Sequence, residues 1–143
     1  MEKQFLDNYS GQTTDELIAL KDKYRIDSLV LAFEQAIQEK SESELSEPER
    51  YILAIEAMER EVNNGGWDQF FDNTENEFND SLPFALDAIG CQQTAQLSRE
   101  AIDTSHLGGD LDDFDDKYYA LSESIEERLF EYIEKNAAEI KLS

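Results

Sequence analysis

Few side chains in this sequence are of the kinds that carry enzymatic chemistry. The one histidine, His106, stands three residues after Asp103. No second nitrogen or sulfur ligand and no placed nucleophile lies at a spacing that would complete a metal site or a catalytic triad. The one cysteine, Cys91, excludes an internal disulfide framework and a cysteine-based zinc site. Gly65-Gly66 and Gly108-Gly109 lack the flanking strand and the lysine of a phosphate loop. Carboxylate is what the chain has in quantity: 34 Asp and Glu stand against 12 Lys and Arg, a formal charge of -22. The run Gly109 to Asp116 (GDLDDFDD) invites a calcium reading and fails it. Counting from Asp110, the fifth position is Phe114, the sixth is Asp115 where glycine must turn the loop, and the twelfth is Leu121 where a bidentate glutamate is required. These aspartates instead suit a helix N-terminus, whose macrodipole favours negative charge. No catalysis, metal or cofactor is expected.

The charge itself is the remaining chemistry. It argues against direct nucleic-acid or anionic-membrane binding, since both require clustered cations, and it points to a basic partner. Up to Arg60 there are 14 acids and 7 bases; after it there are 20 and 5, so -15 of the -22 falls in the later part. From Glu61 to Ser98 there is no Lys or Arg, while Glu61, Asp68, Asp72, Glu75, Glu77 and Asp80 fall there. Asp112, Asp113 and Asp116 follow, and then Glu123, Glu127, Glu131 and Glu134, read as a stripe on the last helix. Helix residues four apart are separated by about 6 Å of rise, whereas each DNA strand carries a phosphate per about 3.4 Å of axis. A carboxylate stripe can imitate a phosphate row at roughly half its axial density. These thirteen acids are the candidate partner-binding residues.

The elements that must position them are helices. Hydrophobic residues make up 40% of the 143, including eight Phe, six Tyr and one Trp, enough for a core in one domain. No segment rich in β-branched residues alternates with period two, and two prolines and six glycines are few. The expectation is an all-α fold, a single compact domain of about six to eight helices, with residues 1–12 a mobile tail. Capping-box spacings mark three helix starts: Thr13 with Glu16, Ser46 with Glu49, Ser124 with Glu127. One helix begins near Asp15 and a second ends near Lys40, with Leu29, Val30, Phe33 and Ile37 on one face. A third, with Pro48 in its first turn, stops at Gly65-Gly66. A short helical turn then aims the Trp67, Phe70 and Phe71 rings one way, and an acidic loop occupies residues 72–80. Further helices span about Ser81 to Ile89, Gln92 to Thr104, and Asp113 to Ile140 with a break near Ser122. Phe33, Ile55, Trp67, Phe70, Phe71, Leu86, Ile89, Leu129 and Ile133 are expected in the core. The first residues lack the apolar core of a signal peptide and no eighteen apolar residues run together, so the cytoplasm is the expected compartment.

The most distinctive string is Asn63-Asn64-Gly65-Gly66-Trp67-Asp68-Gln69-Phe70-Phe71-Asp72-Asn73. By itself it reads as a helix-glycine-helix corner, in which Asn63, Asn64 and Gln69 satisfy loose backbone groups and the aromatics close the core. Exposure of those rings to a partner is the other reading. Together with Ala85 to Cys91 (ALDAIGC), the Leu111 to Leu121 stretch with its Tyr118-Tyr119 pair, and Tyr132 to Asn136 (YIEKN), the string resembles a small bacterial family of acidic, all-helical DNA-mimic proteins. That family was long catalogued as a domain of unknown function. The likeness covers roughly Glu59 to Asn136; Trp67 stands where the family more often has phenylalanine. The resemblance implies a homodimer that presents carboxylates in a DNA-like arrangement and occupies the DNA-binding surface of a transcriptional repressor, hence a role in transcription regulation.

The charge pattern is compatible with other functions. An immunity or antitoxin protein that plugs the basic cleft of a nuclease or other toxin would share it. So would an acidic domain whose charge confers only solubility, or one adapted to a salty cytoplasm.

Overall fold

The computed structural model describes residues 2–142, and among them it is all-α. Seven helices follow in order: α1 (Thr14–Ala19), α2 (Ile26–Gln38), α3 (Glu47–Thr74), α4 (Leu82–Ala88), α5 (Gln92–His106), α6 (Asp112–Ala120) and α7 (Ile125–Lys135). Short 3-10 turns lie at Leu20–Asp22, Glu42–Glu44 and Ala137–Glu139. No helix among the described residues is long and apolar enough to cross a membrane. Two compact units are distinguished within the chain: one runs to Leu53 and resumes at Ile125, the other is Ala54–Ser124.

In the first unit α2 packs on α7. Leu29, Val30, Phe33 and Ile37 of α2 and Leu129 and Ile133 of α7 are fully buried, each worth roughly 1.5–3 kcal/mol in removal from water. Two expected capping boxes form. Thr13 Oγ1 accepts from the Glu16 amide while the Glu16 carboxylate accepts from the Thr13 amide. Ser46 and Glu49 exchange the same pair of bonds at 3.3 and 2.8 Å. Glu49 is also fully inside, and the Lys40 ammonium reaches both of its oxygens at 2.7 and 2.8 Å. The Lys141 amide donates to it at 2.9 Å, so a buried carboxylate ties α3's first turn to the C-terminal segment. In the segment before α1, Gln4 and Tyr9 are bonded to residues of this unit. Gln4 pairs in parallel with Tyr24, and the Tyr9 amide donates to Gln35 Oε1 at 2.9 Å.

The second unit is built on the aromatic corner. Ile55, Met58, Val62, Trp67, Phe70, Leu82 and Leu86 are fully buried there, and α4 packs closely along α5. Two boundaries differ from expectation. The helix after the glycines runs on to Thr74, consuming Asp72 to Thr74 of the expected acidic loop, and ends in a turn where Glu75 and Asn76 take positive φ of 53° and 62°. The last helical region breaks where anticipated, between Ala120 and Ile125, but α7 ends at Lys135 and not at Ile140. Beyond it a single 3-10 turn leads to Ile140, whose carbonyl accepts from the buried Thr14 hydroxyl at 2.6 Å.

Candidate acidic interface

The corner is a break in α3. Gly65 (φ -157°, ψ 17°) and Gly66 (φ 81°, ψ -177°) leave the helical region, and only glycine adopts the second of these without strain. The helix that restarts at Trp67 therefore has no Ser, Thr, Asp or Asn immediately before it to receive its orphan amides. Asp115, from α6, supplies the acceptor: its Oδ1 takes the Trp67 amide proton at 2.8 Å. The fit is close, for a Cβ on Gly66 would stand 2.4 Å from Asp115 Oδ2. Trp67 then donates its indole Nε1–H to the Phe114 carbonyl at 3.3 Å. Its ring meets Phe70 edge-on at 5.7 Å and Tyr118 edge-on at 6.0 Å.

Farther along α6 the contacts with α3 continue. The Tyr119 hydroxyl donates to the Val62 carbonyl at 2.9 Å. The Tyr118 hydroxyl donates to Glu59, which also accepts from Asn63 Nδ2 at 3.1 Å. Burial pushes the Glu59 carboxyl above its ordinary range, more than these two donors pull it down. Thus the glycine-aromatic string and the Tyr118-Tyr119 stretch, separate in sequence, form one packed joint.

That joint fixes what the surface presents. Asp112 and Asp113 open α6 with Asp115 in its first turn, where the macrodipole favours them. Asp110 Oδ1 accepts the Asp112 amide at 2.9 Å. Asp112 is raised above the usual aspartate range, first by Asp110 and then by desolvation and by Asp115, Asp68 and Asp116. The exposed carboxylates of Asp68 and of α6 therefore share one field. Asp72, Glu75, Glu77 and Asp80 are exposed as well. Arg99, one of three cations in this unit, is engaged with Asp87.

Three of the thirteen candidates are not free surface charges. Glu123 requires correction: it precedes α7 and does not belong to its stripe. Cys91 gives α5 no side-chain cap, so Glu123 accepts the Thr94 amide and hydroxyl at 2.8 and 2.7 Å and the Gln93 amide at 3.3 Å. Glu61 is half-buried and braces the corner, accepting from Asn73 at 2.6 Å and Gln69 at 3.2 Å. The Asn73 bond above all, outweighing burial, holds its carboxyl below the ordinary range. Glu134 pairs with Lys21 at 2.9 Å. Glu127 and Glu131 are exposed on α7, in the first unit, whereas the corner and α6 belong to the second.

Among the motif residues, Asn63 donates to the Glu59 carbonyl at 2.6 Å, closing the helix before the glycines, and Asn64 is exposed. Asp115, which sequence reasoning left out, is the residue that joins the two strings. Its signal was the capless restart at Trp67, which demanded an acceptor from elsewhere. His106 is exposed at the end of α5. No group of three or more His, Cys, Asp or Glu among the described residues could hold a metal ion.

No curated protein and no solved structure matches the chain. A family model does, that of the DMP19-like protein, over residues 43–136. This interval ends with the Asn136 of the sequence resemblance, begins before the corner at the approach to α3, and takes in every element of the joint just described. With 94 of its 143 residues so matched, the chain belongs to the DMP19-like protein family.

Proposed function

We propose that this protein is a non-enzymatic binder, acting in the cytoplasm, whose acidic surface stands in for DNA on a basic, DNA-binding protein such as a transcriptional repressor. The observation that carries the reading is the second unit's charge: 17 acids against three bases, a net -14 in 71 residues. Many of these acids are exposed on helices that the Asp115–Trp67 joint holds in place. Asp68 and Asp72 on one helix, and Asp112 and Asp116 on another, stand four residues apart, about 6 Å of rise. A fixed row at that spacing offers a partner's arginines and lysines part of the phosphate pattern they are built to meet. Membership in the DMP19-like family supports the same reading, as does the DNA mimicry that the sequence resemblance implies.

Capture from native extract on the immobilised protein, eluted by a salt gradient and identified by mass, supplies the partner. Double-stranded DNA should then compete for it. The decisive variant reverses Asp112, Asp113 and Asp116 to Lys, against a control reversing Glu2 and Asp7. Loss confined to the first set supports mimicry by a placed surface. Equal losses mean diffuse attraction by net charge, and a captured toxin that DNA does not displace means an immunity protein; either result removes the proposal.

A further inference from the structure

The second unit carries an open groove of about 550 Å³ between α5 and the end of α6, within the roughly 300–1,000 Å³ range of ligand clefts. Leu97, Ala120 and Leu121 give it an apolar floor, and the exposed ends of Gln92, Gln96 and Glu100 form its rim. Lys117 lines it too, with its ammonium turned over the Phe114 ring at 5.4 Å from the centroid. The elements that line the groove are tied to their neighbours. Glu123 ties the chain beyond Leu121 to the start of α5, and Tyr118 and Tyr119 pin α6 to α3.

Its position says what it suits. Residues four apart on a helix are surface neighbours, so Asp116 adjoins Ala120 and Asp113 adjoins Lys117: the acidic face runs into the apolar groove within one turn. The polar groups on the rim are long, exposed side chains, and no fixed constellation of buried donors is present to orient a small ligand. An apolar trough with Glu100 on its rim and Asp113 and Asp116 one turn away on α6, in a unit of net -14, is complementary to a helix with an apolar stripe flanked by Lys or Arg. We propose that this groove receives the apolar face of a basic amphipathic helix of the captured partner, while that helix's cations meet Glu100, Asp113 and Asp116. The inference rests on the capture reading and adds to it an apolar anchor that DNA itself does not have.

The test uses two helical peptides about 15 residues long with equal numbers of lysines, one with a leucine stripe and one with glutamine in place of leucine. Binding to the intact protein is followed by fluorescence anisotropy at low and moderate salt. Ala120 is exposed at the end of α6, so Ala120→Gln fills the trough without changing charge, and Ala120→Glu fills it while adding a negative charge. Circular dichroism and the melting midpoint check that both variants fold. The expected result is tighter binding of the leucine peptide to the unmodified protein, weakened about tenfold by either variant, with the glutamine peptide unaffected by Ala120→Gln and strengthened by Ala120→Glu. If both peptides bind alike and Ala120→Glu strengthens both, the groove is not used, though capture by charge stands. If neither peptide binds at low salt, the groove inference falls together with the capture reading.

Discussion

The two units contain the same number of carboxylic acids and treat them differently. Each has 17, but the unit of residues 1–53 and 125–143 has nine Lys and Arg where Ala54–Ser124 has three, giving net charges of -8 and -14. In the first unit cations meet some of the acids that the fold uses, as Lys40 meets Glu49 and Lys21 meets Glu134, while Glu16 is met by the Thr13 amide. In the second they are met mostly by backbone amides, hydroxyls and side-chain amides: Asp115 by the Trp67 amide, Glu123 by Thr94, Glu59 by Tyr118 and Asn63. A neutral donor satisfies a carboxylate without cancelling its charge. The second unit thereby packs its acids and keeps its negative field.

The largest expected break in this contrast is Trp67→Ala. The ring is fully buried among Phe70, Phe71 and Tyr118, and its loss should cost about 3–5 kcal/mol. Urea unfolding followed by far-UV circular dichroism measures it; an unmoved midpoint would show that the corner does not hold the unit together.

Close behind comes Lys40→Met. It leaves Glu49, whose side chain is 1% exposed, without its cation, and stranding a buried charge costs about 3 kcal/mol. Amide hydrogen exchange should quicken in α2 and α7 while the Trp67 fluorescence midpoint changes little. Comparable loosening in α5 and α6 would refute the separate charge economies of the two units.

Asp115→Ala is the intermediate case. It removes a cap donated from another helix, at about 1–2 kcal/mol on the usual scale for N-caps, and Asp115→Asn should recover part of that because the amide oxygen still accepts. Trp67 fluorescence reports on it directly. If Ala and Asn are equally damaging, the carboxylate's charge, not its acceptor geometry, holds the joint.

Asp115 also marks the limit of what could be read from the sequence. Periodicity and capping boxes are local signals, so helix starts at Thr14 and Glu47, the aromatic corner and the nine expected core residues were legible, and all nine are buried. Which acids face solvent is a tertiary matter. Glu123 has the i, i+4 spacing of a helical stripe with Glu127, yet α5 begins at Gln92 after a residue, Cys91, whose side chain does not cap it, and Glu123 fills the need. Glu61 is likewise spent on Asn73 and Gln69. Nothing in a run of acids distinguishes the one that folds the protein from those that face out. The absence of a local cap elsewhere is the cue, and it has to be read against the acids.

The smallest effect sharpens the comparison most, because its sign differs between Glu49 of the first unit and Glu59 of the second. Glu49 is pushed up by burial, but the Lys40 ammonium and the Ser46 and Lys141 amides outweigh that and hold its carboxyl below the ordinary range. A group lowered on folding stabilises above its unfolded pKa and loses that contribution as pH falls through its folded value. The first unit should therefore weaken in acid. Glu59 and Asp112 are shifted the other way, Glu59 by burial and Asp112 by Asp110. A carboxyl raised on folding binds its proton more tightly in the folded state, so these two groups should stabilise the second unit as pH falls from neutral through their raised values toward the ordinary carboxylate range, whereas Glu61, held low, gives up its contribution only below that range. Protection from hydrogen exchange, corrected for the pH dependence of intrinsic exchange, should rise in α5 and α6 between neutrality and that range while α2 and α7 hold steady, and should fall in α2 and α7 only below it. Glu59→Gln, which keeps an acceptor for Tyr118, should flatten the response of α5 and α6 and leave α2 and α7 as they were. A parallel response in both pairs, unchanged by Glu59→Gln, would mean that general relief of repulsion among the 34 acids governs stability, and not the distinct partners given to Glu49 and Glu59.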